Sequence, residues 1–522
     1  MNPMAVGHPL RLDAILAHAA LSHPSREAVR FEDTCWTYAE VHDRARRVAG
    51  ALQLLGVQKG DRVAWWATNR AEFVEVLFGV PALGAIVSPL DHWWTWDDAL
   101  VALDQIRPRV LIVGAAQATL IAGHHEAIAR AGVHTVLCLD PHPAAGLDES
   151  YPRHLERATP LLESTPVIPK DPAVILFTSG STGRSKGAVH THGSLVAAAA
   201  IMCLELELGD GERTLHFLPL FSSCLEHLIP LTLKAATHII LPTFDPQRVW
   251  EAVRDFKVTH LDAVPTTLRR MLEVAPTTIP PSLRMIGYAS ERMPPSLITA
   301  LIEQMPGVDF VQFYGMIEQL CLTVLRPSDQ LRKIGTVGRP MMGAELSLVT
   351  SDDGHRHEEG EIIARSPTLF AGYWQDDAAT AQVMRGNAMR TGDIGRFDAE
   401  GFLTLEGRSK EMIKTGGLTV IPAEIESVLL GHPHVRDVAV VGVPDERWGE
   451  AVHAFVTASP GASLLHAELD AYCRERLAGY KRPKTIHIVA DMPRTGIGKI
   501  AKRALQEQVT LAAVTTQPPA ER

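Results

Sequence analysis

At 522 residues the chain is too long for one ordinary core, so two or more domains are expected. An apolar content of 46% excludes a disordered protein, and 50 Lys+Arg against 60 Asp+Glu, net -10, excludes the basic footprint of a nucleic-acid binder. Cys35, Cys138, Cys203, Cys224, Cys321 and Cys473 are scattered without paired spacing, which argues for reduced thiols rather than a disulfide frame or a zinc site. Met1 to Arg11 lacks a signal-peptide layout and no apolar run approaches about 18 residues, so a cytoplasmic protein without a membrane span is expected.

In chain order, Arg44 to Leu55 reads as an amphipathic helix with Ala45, Val48, Ala49 and Leu52 on one face. Arg62 to Trp66 is a strand, Glu72 to Leu83 a helix, and a further helix starts at Trp93-Trp94-Thr95 and runs through Leu103. Val110 to Val113 is a strand, and Pro141 to Pro172 reads as a surface excursion rich in turn formers and polar residues. Ala173 to Phe177 is a buried strand. Beyond it a β-α series runs through the strand His238 to Leu241, a helix opened by the Asp245-Pro246 cap, the strand Val258 to Val264, a helix over Leu268 to Leu272, the strand Arg284 to Tyr288, a helix from Pro294-Pro295 and the strand Val308 to Phe313. Such a series predicts a doubly wound sheet with its site at the strands' carboxyl ends. From Gly335 short glycine-bearing strands (Glu345 to Val349, Glu361 to Ala364, Phe402 to Leu405) predict a small β-rich subdomain, followed by a compact α+β domain ending near Leu505 and a polar tail that reads as disordered.

Directly behind the strand Ala173 to Phe177 comes Thr178-Ser179-Gly180-Ser181-Thr182-Gly183-Arg184-Ser185-Lys186-Gly187. Glycines let backbone N–H groups converge on an anion, hydroxyls add donors, and Lys186 adds a mobile positive charge. The alternative is a flexible linker, but a linker seldom sits directly behind a buried strand. It is not a Walker A loop, because Ser185 and Gly187 flank Lys186. Further on, Tyr314-Gly315-Met316-Ile317-Glu318 follows a strand; its ring can cover a purine face and its carboxylate can hold Mg²⁺ beside phosphates. In Thr391-Gly392-Asp393 one carboxylate suits a cis-diol. Then come Gly407-Arg408-Ser409-Lys410 through Gly416-Gly417, and Pro493-Arg494-Thr495-Gly496-Ile497-Gly498-Lys499, a lysine on a glycine-hinged loop.

These five stretches, in this order, resemble the motifs of the adenylate-forming superfamily, in its acyl-CoA synthetase branch. The resemblance covers Trp36 to Lys502. It implies a large N-terminal adenylation domain (1–406), a hinge (407–410) at Lys410, a small mobile C-terminal domain (411–505) and a tail (506–522). It implies a phosphate loop at Thr178, Ser179, Gly180, Ser181, Thr182, Gly183 and Lys186, and Mg²⁺ on Thr182 and Glu318. Ribose falls to Asp393 and Arg408. Ala289, Ser290, Glu291, Tyr314, Gly315 and Ile317 surround the nucleotide, and Lys499 bridges carboxylate and α-phosphate. Lys499, Lys186 and Glu318 form the catalytic set. Ser222, Ser223, Cys224, Leu225, Ala289 and Gly315 line an acyl pocket that suggests a hydrophobic acid, and Gly416-Gly417 line the CoA tunnel.

The implied activity is an ATP-dependent carboxylate–CoA ligase that makes acyl-AMP and pyrophosphate and then acyl-CoA from a fatty, aryl or bulky cyclic acid. Its partners are the acid, ATP and CoA, as a monomer or homodimer. A ligase that loads a carrier-protein pantetheine and a non-catalytic nucleotide or acyl binder are the alternatives. Amino-acid activation is disfavoured, because Phe221 to Leu225 offers no aspartate for an ammonium group. The chain departs from the family pattern in three places. Ile317 replaces a threonine that meets the α-phosphate, Ser222 replaces a pocket-gating histidine, and the bulkier Glu291-Arg292 stands in a segment that is Gly-Gly-Ala-Pro in many relatives.

Overall fold

The computed structural model describes residues 10–140, 150–178, 185–349, 359–408, 411–416, 418–445, 447–494 and 500–515. The α/β architecture expected from the sequence is observed. A six-stranded sheet runs in the order Thr135–Cys138, Val110–Val113, Arg62–Trp66, Ile86–Pro89, Pro172–Thr178, Lys186–Thr191, parallel except at its last pair. A nine-stranded sheet has a parallel centre, Asp309–Met316, Met285–Tyr288, His260–Ala263, Arg213–His216, Thr237–Ile240 and Glu27–Phe31, with antiparallel edges. The largest core cluster joins them: Val63, Val87 and Leu176 from one sheet and Val29 and Ile240 from the other pack on Leu16, Val48, Leu77 and Leu195 of intervening helices.

A third sheet (Glu345–Val349, Glu359–Arg365, Met384–Arg385, Ala388–Phe397, Leu403–Arg408) is the β-rich subdomain. A fourth holds Ile413–Thr415, Leu418–Val420, Val435–Asp445, Gly449–Ala458 and Thr485–Ile488, covered by Pro422–Leu430 and His466–Arg476. Among the described residues no helix is long and apolar enough to cross a membrane.

Several expectations are corrected, each by a tertiary or capping contact. The fourth helix begins at Trp96, not Trp93, because Thr95 caps it through Asp98 N (3.3 Å). The stretch from 150 to 172 is not a bare surface excursion: Tyr151–Arg157 is a helix, and the Tyr151 hydroxyl donates to Glu75 Oε1 (2.6 Å), which also accepts from Arg44 Nη2 (3.1 Å). The strand read as ending at Phe313 continues to Met316, because it pairs antiparallel with Leu320–Leu325. The strand read as ending at Leu405 runs to Arg408, so Gly407 and Arg408 are strand residues, while Ser409 and Lys410 lie outside the described residues. Residues 506–515 are not a disordered tail: the last helix spans Lys502–Thr515, anchored by buried Leu505 and by Gln506 Nε2 donating to Gly442 O (2.6 Å).

Three buried histidines carry a pH signature. Burial pushes His190 and His192 down to about 4 and His238 to about 3. Each enters the fold neutral, whereas an unfolded imidazole titrates near 6.5. Below about pH 6.5 the unfolded chain therefore binds more protons than the native one, and stability falls as pH drops toward about 4. His190 Nε2–H donates to Ile317 O (2.6 Å), a bond that a glutamine amide can also make. We expect His190→Gln to make the acid limb of apparent Tm against pH shallower between about pH 6.5 and 4; an unchanged limb would remove His190 as a contributor.

Candidate functional site

Asp393 is 5% exposed, yet it carries a carboxylate. Gly392 supplies a φ of 75° inside the strand Ala388–Phe397, a kink that favours glycine. Thr391 Oγ1 accepts from Asp393 N (3.1 Å) and donates to Ile362 O (3.0 Å), which fixes the turn. The carboxylate then meets two donors: the Tyr314 hydroxyl on Oδ2 (2.7 Å) and Arg408 Nε on Oδ1 (3.0 Å). Burial pushes the Asp393 carboxyl up, and Arg408 and Tyr314 oppose that rise. The Tyr314 phenol is pushed well up by burial and by Asp393, so it stays a donor.

A second cluster sits where the glycine-rich loop leaves the sheet. Residues 179–184 lie outside the described residues, but the ends of the loop pair across antiparallel strands, Thr178 with Lys186 and Phe177 with Gly187. The loop is a hairpin connection, not the strand-to-helix turn of a Walker A loop. At Gly187 a Cβ would lie 2.8 Å from Ile175 Cγ2, so the backbone approach requires glycine. The segment around Tyr373 pairs with this strand through Ala371 N to Val189 O (2.7 Å) and Trp374 N to Gly187 O (2.7 Å). The Tyr373 ring thereby comes under Lys186 Nζ (5.1 Å from the ring centroid), while its hydroxyl donates to Glu318 Oε1 (2.7 Å). One phenol thus links the predicted catalytic lysine and carboxylate.

The remaining predicted residues fall as follows. Ala289 is half-buried and packs near Phe313 and Cys321; Ser290 takes a φ of 74°, and Glu291 N donates to Ala289 O (2.9 Å). Gly315 is exposed, and a Cβ there would lie 1.8 Å from Leu320 O. The Ile317 side chain packs on the cluster of Phe370 and Tyr373 rather than standing as a bare replacement for a phosphate donor. Ser222 turns its hydroxyl to Pro219 O (3.2 Å). Leu225 is 0% exposed inside the main core. The side chains of Ser223 and Cys224 lie outside the described residues, as do Ser179, Gly180, Ser181, Thr182, Gly183, Lys410, Gly417 and Lys499. Gly416 has a φ of 57° and donates its N–H to Trp448 O (2.7 Å). Arg292, read as part of an altered pocket wall, instead reaches Leu405 O (2.8 Å) and Ala423 O (3.2 Å).

Tyr373 and His190 were not anticipated. Tyr373 reaches Glu318 only through pairing with a strand far earlier in the chain, and no local pattern marks it. For His190 the signal was present: an imidazole in an otherwise apolar strand needs a partner, which proves to be the Ile317 carbonyl.

The family model described as AMP-binding enzyme matches residues 16–374, and the AMP-binding enzyme C-terminal domain matches 424–499. The chain is 34% identical over 505 residues to an indoleacetate–CoA ligase of Aromatoleum aromaticum, covering 94% of this chain and 96% of that one. It is 35% identical over 482 residues to a long-chain-fatty-acid–CoA ligase of Mycobacterium tuberculosis, covering 91% and 93%. The structure superposes on an anthranilate CoA ligase in complex with anthranoyl-AMP at a TM-score of 0.89 and 29% identity, covering 98% and 100%.

The packing of Ile317 makes a stability prediction. Ile317→Val removes one methyl group and should cost about 1 kcal/mol. Ile317→Thr also buries a hydroxyl and should lower the apparent Tm further. A Tm for Ile317→Thr equal to that of the parent would show that the side chain does not support the Tyr373 cluster.

Proposed function

Because the chain belongs to the AMP-binding enzyme family, in its adenylate-forming acyl-CoA synthetase branch, we propose that it is an ATP-dependent ligase joining an aryl, fatty or cyclic carboxylic acid to CoA. The observation that carries this reading is the buried Asp393 carboxylate held by Tyr314 and Arg408, with Lys186, Tyr373 and Glu318 at the mouth of the glycine-rich loop.

In this reading Asp393 receives the ribose hydroxyls and Tyr314 bounds the adenine. The loop from Thr178 to Lys186 holds the phosphates, and Lys186 neutralises part of their charge. A carboxylate offers several acceptor positions, of which Tyr373 takes one on Glu318, so a hard cation fits beside it with Thr182. Mg²⁺ there would draw charge off the leaving pyrophosphate. The acid's carboxylate oxygen attacks the α-phosphorus, the bond to the pyrophosphate oxygen breaks, and Lys499 bridges the two anions as they approach. In the second step the CoA sulfur attacks the acyl carbon as its proton departs, and AMP leaves. The small domain rotates about Lys410 between the steps, exchanging Lys499 for the thiol tunnel at Gly416-Gly417. Positioning and charge neutralisation carry the rate, with no covalent protein intermediate.

The basic test is pyrophosphate release with a panel of acids, followed by acyl transfer to free CoA or to a phosphopantetheinylated carrier protein. Free CoA is the expected acceptor, and release with no acid would overturn the reading. Lys499→Ala should lose on the order of 10²-fold in acyl-AMP formation yet still convert supplied acyl-AMP to acyl-CoA. Lys410→Pro, which fixes φ near roughly -65°, should do the reverse. Loss of the same half-reaction in both variants would refute the two-arrangement account.

Removing the Tyr373 hydroxyl should act on Glu318. Tyr373→Phe deletes a hydrogen bond to a charged group, a contact commonly worth about 1.5–3 kcal/mol. We expect the adenylation rate to fall by roughly tenfold or more, with folding intact. A rate equal to the parent's would detach Tyr373 from the reaction.

A further inference from the structure

The segment expected to form an apolar pocket wall is followed directly in the chain by two charged or titratable side chains, Glu226 and His227. A narrow cavity, with room for about one water molecule, is lined by Glu226, His227, Asp262, Gly287 and Phe313, among others. Gly287 lies in the strand Met285–Tyr288, which ends just before Ala289, and Phe313 lies two residues before Gly315, ahead of the register shift between Tyr314 and Gly315. Glu226 and His227 continue the chain directly from Ser222 to Leu225. They sit in a one-turn π-helix, Cys224–Leu228, a bulge that rotates its side chains out of ordinary helical register.

His227 Nδ1–H donates to Asp262 Oδ2 (2.9 Å). Burial alone would strip the imidazole of its second proton, but the Asp262 carboxylate keeps its pKa raised, and the aspartate's own is lowered by the same pairing despite its burial. Both side chains retain accessible surface, 12% and 20%, and both line the cavity. Asp262 Oδ1 lies over Gly287: a Cβ added there would come within 2.1 Å of it, so only glycine leaves room for the carboxylate. Behind the pair, His216 Nε2 bonds His238 Nδ1 (2.9 Å) and His238 Nε2 bonds Thr232 Oγ1 (3.0 Å), a buried polar chain without net charge. Cys321, opposite Gly315 in register, has its thiol pushed well up, chiefly by burial and also by the charges of Glu226 and Asp262.

We propose that Glu226, His227 and Asp262 form a polar subsite at the closed end of the acyl pocket, which selects an acid bearing a hydroxyl at the end far from its reacting carboxyl. The inference rests on the ligase reading above and narrows its substrate class. A hydroxyl donates to a carboxylate and accepts from the imidazolium, so it satisfies groups of both signs at once. A methyl terminus would displace water from these charged groups without replacing its hydrogen bonds. A second carboxylate would meet two like charges. A site built around such a contact rejects the analogue that lacks it far more strongly than an apolar pocket rejects an added hydroxyl.

The experiment compares near-isosteric pairs: 3-(4-hydroxyphenyl)propanoate with 3-(4-methylphenyl)propanoate, and 8-hydroxyoctanoate with nonanoate. The reading is kcat/KM for acid-dependent pyrophosphate release by the full chain. At least one pair should favour the hydroxyl acid by about tenfold or more. Removing one member of a buried pair risks unfolding, so the main variant is the double change His227→Phe with Asp262→Leu, which replaces the ion pair by apolar groups. It should reverse the preference toward the methyl acid, and Glu226→Gln should reduce it. Thermal stability of each variant is followed in parallel; a change in stability without a change in preference would mean a purely structural pair and overturns the proposal. So does a parent enzyme that activates these acids but prefers the methyl member of both pairs, while leaving the ligase reading intact. If the parent releases pyrophosphate with none of these acids nor with any of the wider panel, the ligase reading falls and the subsite with it.

Discussion

The burial of one carboxylate ties the site together. Asp393 has little contact with solvent, so its charge is tolerable only while Tyr314 and Arg408 both reach it. Tyr314 comes from the nine-stranded sheet; Asp393 and Arg408 come from neighbouring strands of the β-rich subdomain. Three residues separated in sequence are thereby locked at one point. Arg408 is also the last residue of the strand Leu403–Arg408, so the contact sits at the end of the β-rich subdomain's sheet. The coupling runs both ways: whatever displaces Arg408 exposes an unpaired buried charge, and whatever competes for Asp393 loosens Arg408.

The same accounting separates the interior's other polar groups into two kinds. His190 and His192 each make one neutral hydrogen bond and His238 makes two, and burial leaves all three uncharged. His227 and Glu75 sit where a charged partner is within reach, Asp262 in one case and Arg44 in the other. Glu75 is fully enclosed by helices and clamps Tyr151 and Arg44 together, a packing role. His227 and Asp262 differ because their free surface faces a cavity.

Much of this was legible in the sequence because it is local. Arg62–Trp66 and Val110–Val113 are apolar runs bounded by turn formers, and both fall where expected. Asp245 caps the helix that Pro246 opens, through Arg248 N (2.9 Å). What escaped was set by distant partners. Gly315 and Met316 read as a turn until Cys321 and Leu320 pair with them, and 151–157 reads as a loop until Tyr151 finds Glu75. The site divides in the same way. Asp393, Arg408, Tyr314, Lys186 and Glu318 stand in motifs that the family resemblance marks, whereas Tyr373 depends on a β-bridge to Ala188 that no window of sequence contains.

The segment from Ser222 to His227 shows how much a local reading leaves out. Ser222 to Leu225 is small and apolar, and taken alone it describes a greasy wall. In the π-turn over Cys224–Leu228, Leu225 packs into the core while the next two residues line the cavity. Gly287 completes the arrangement from the sheet side, since a side chain there would occupy the space of the Asp262 carboxylate. Neither feature is a motif: one is a register defect and the other an absence of atoms, and each takes meaning only from what stands opposite it.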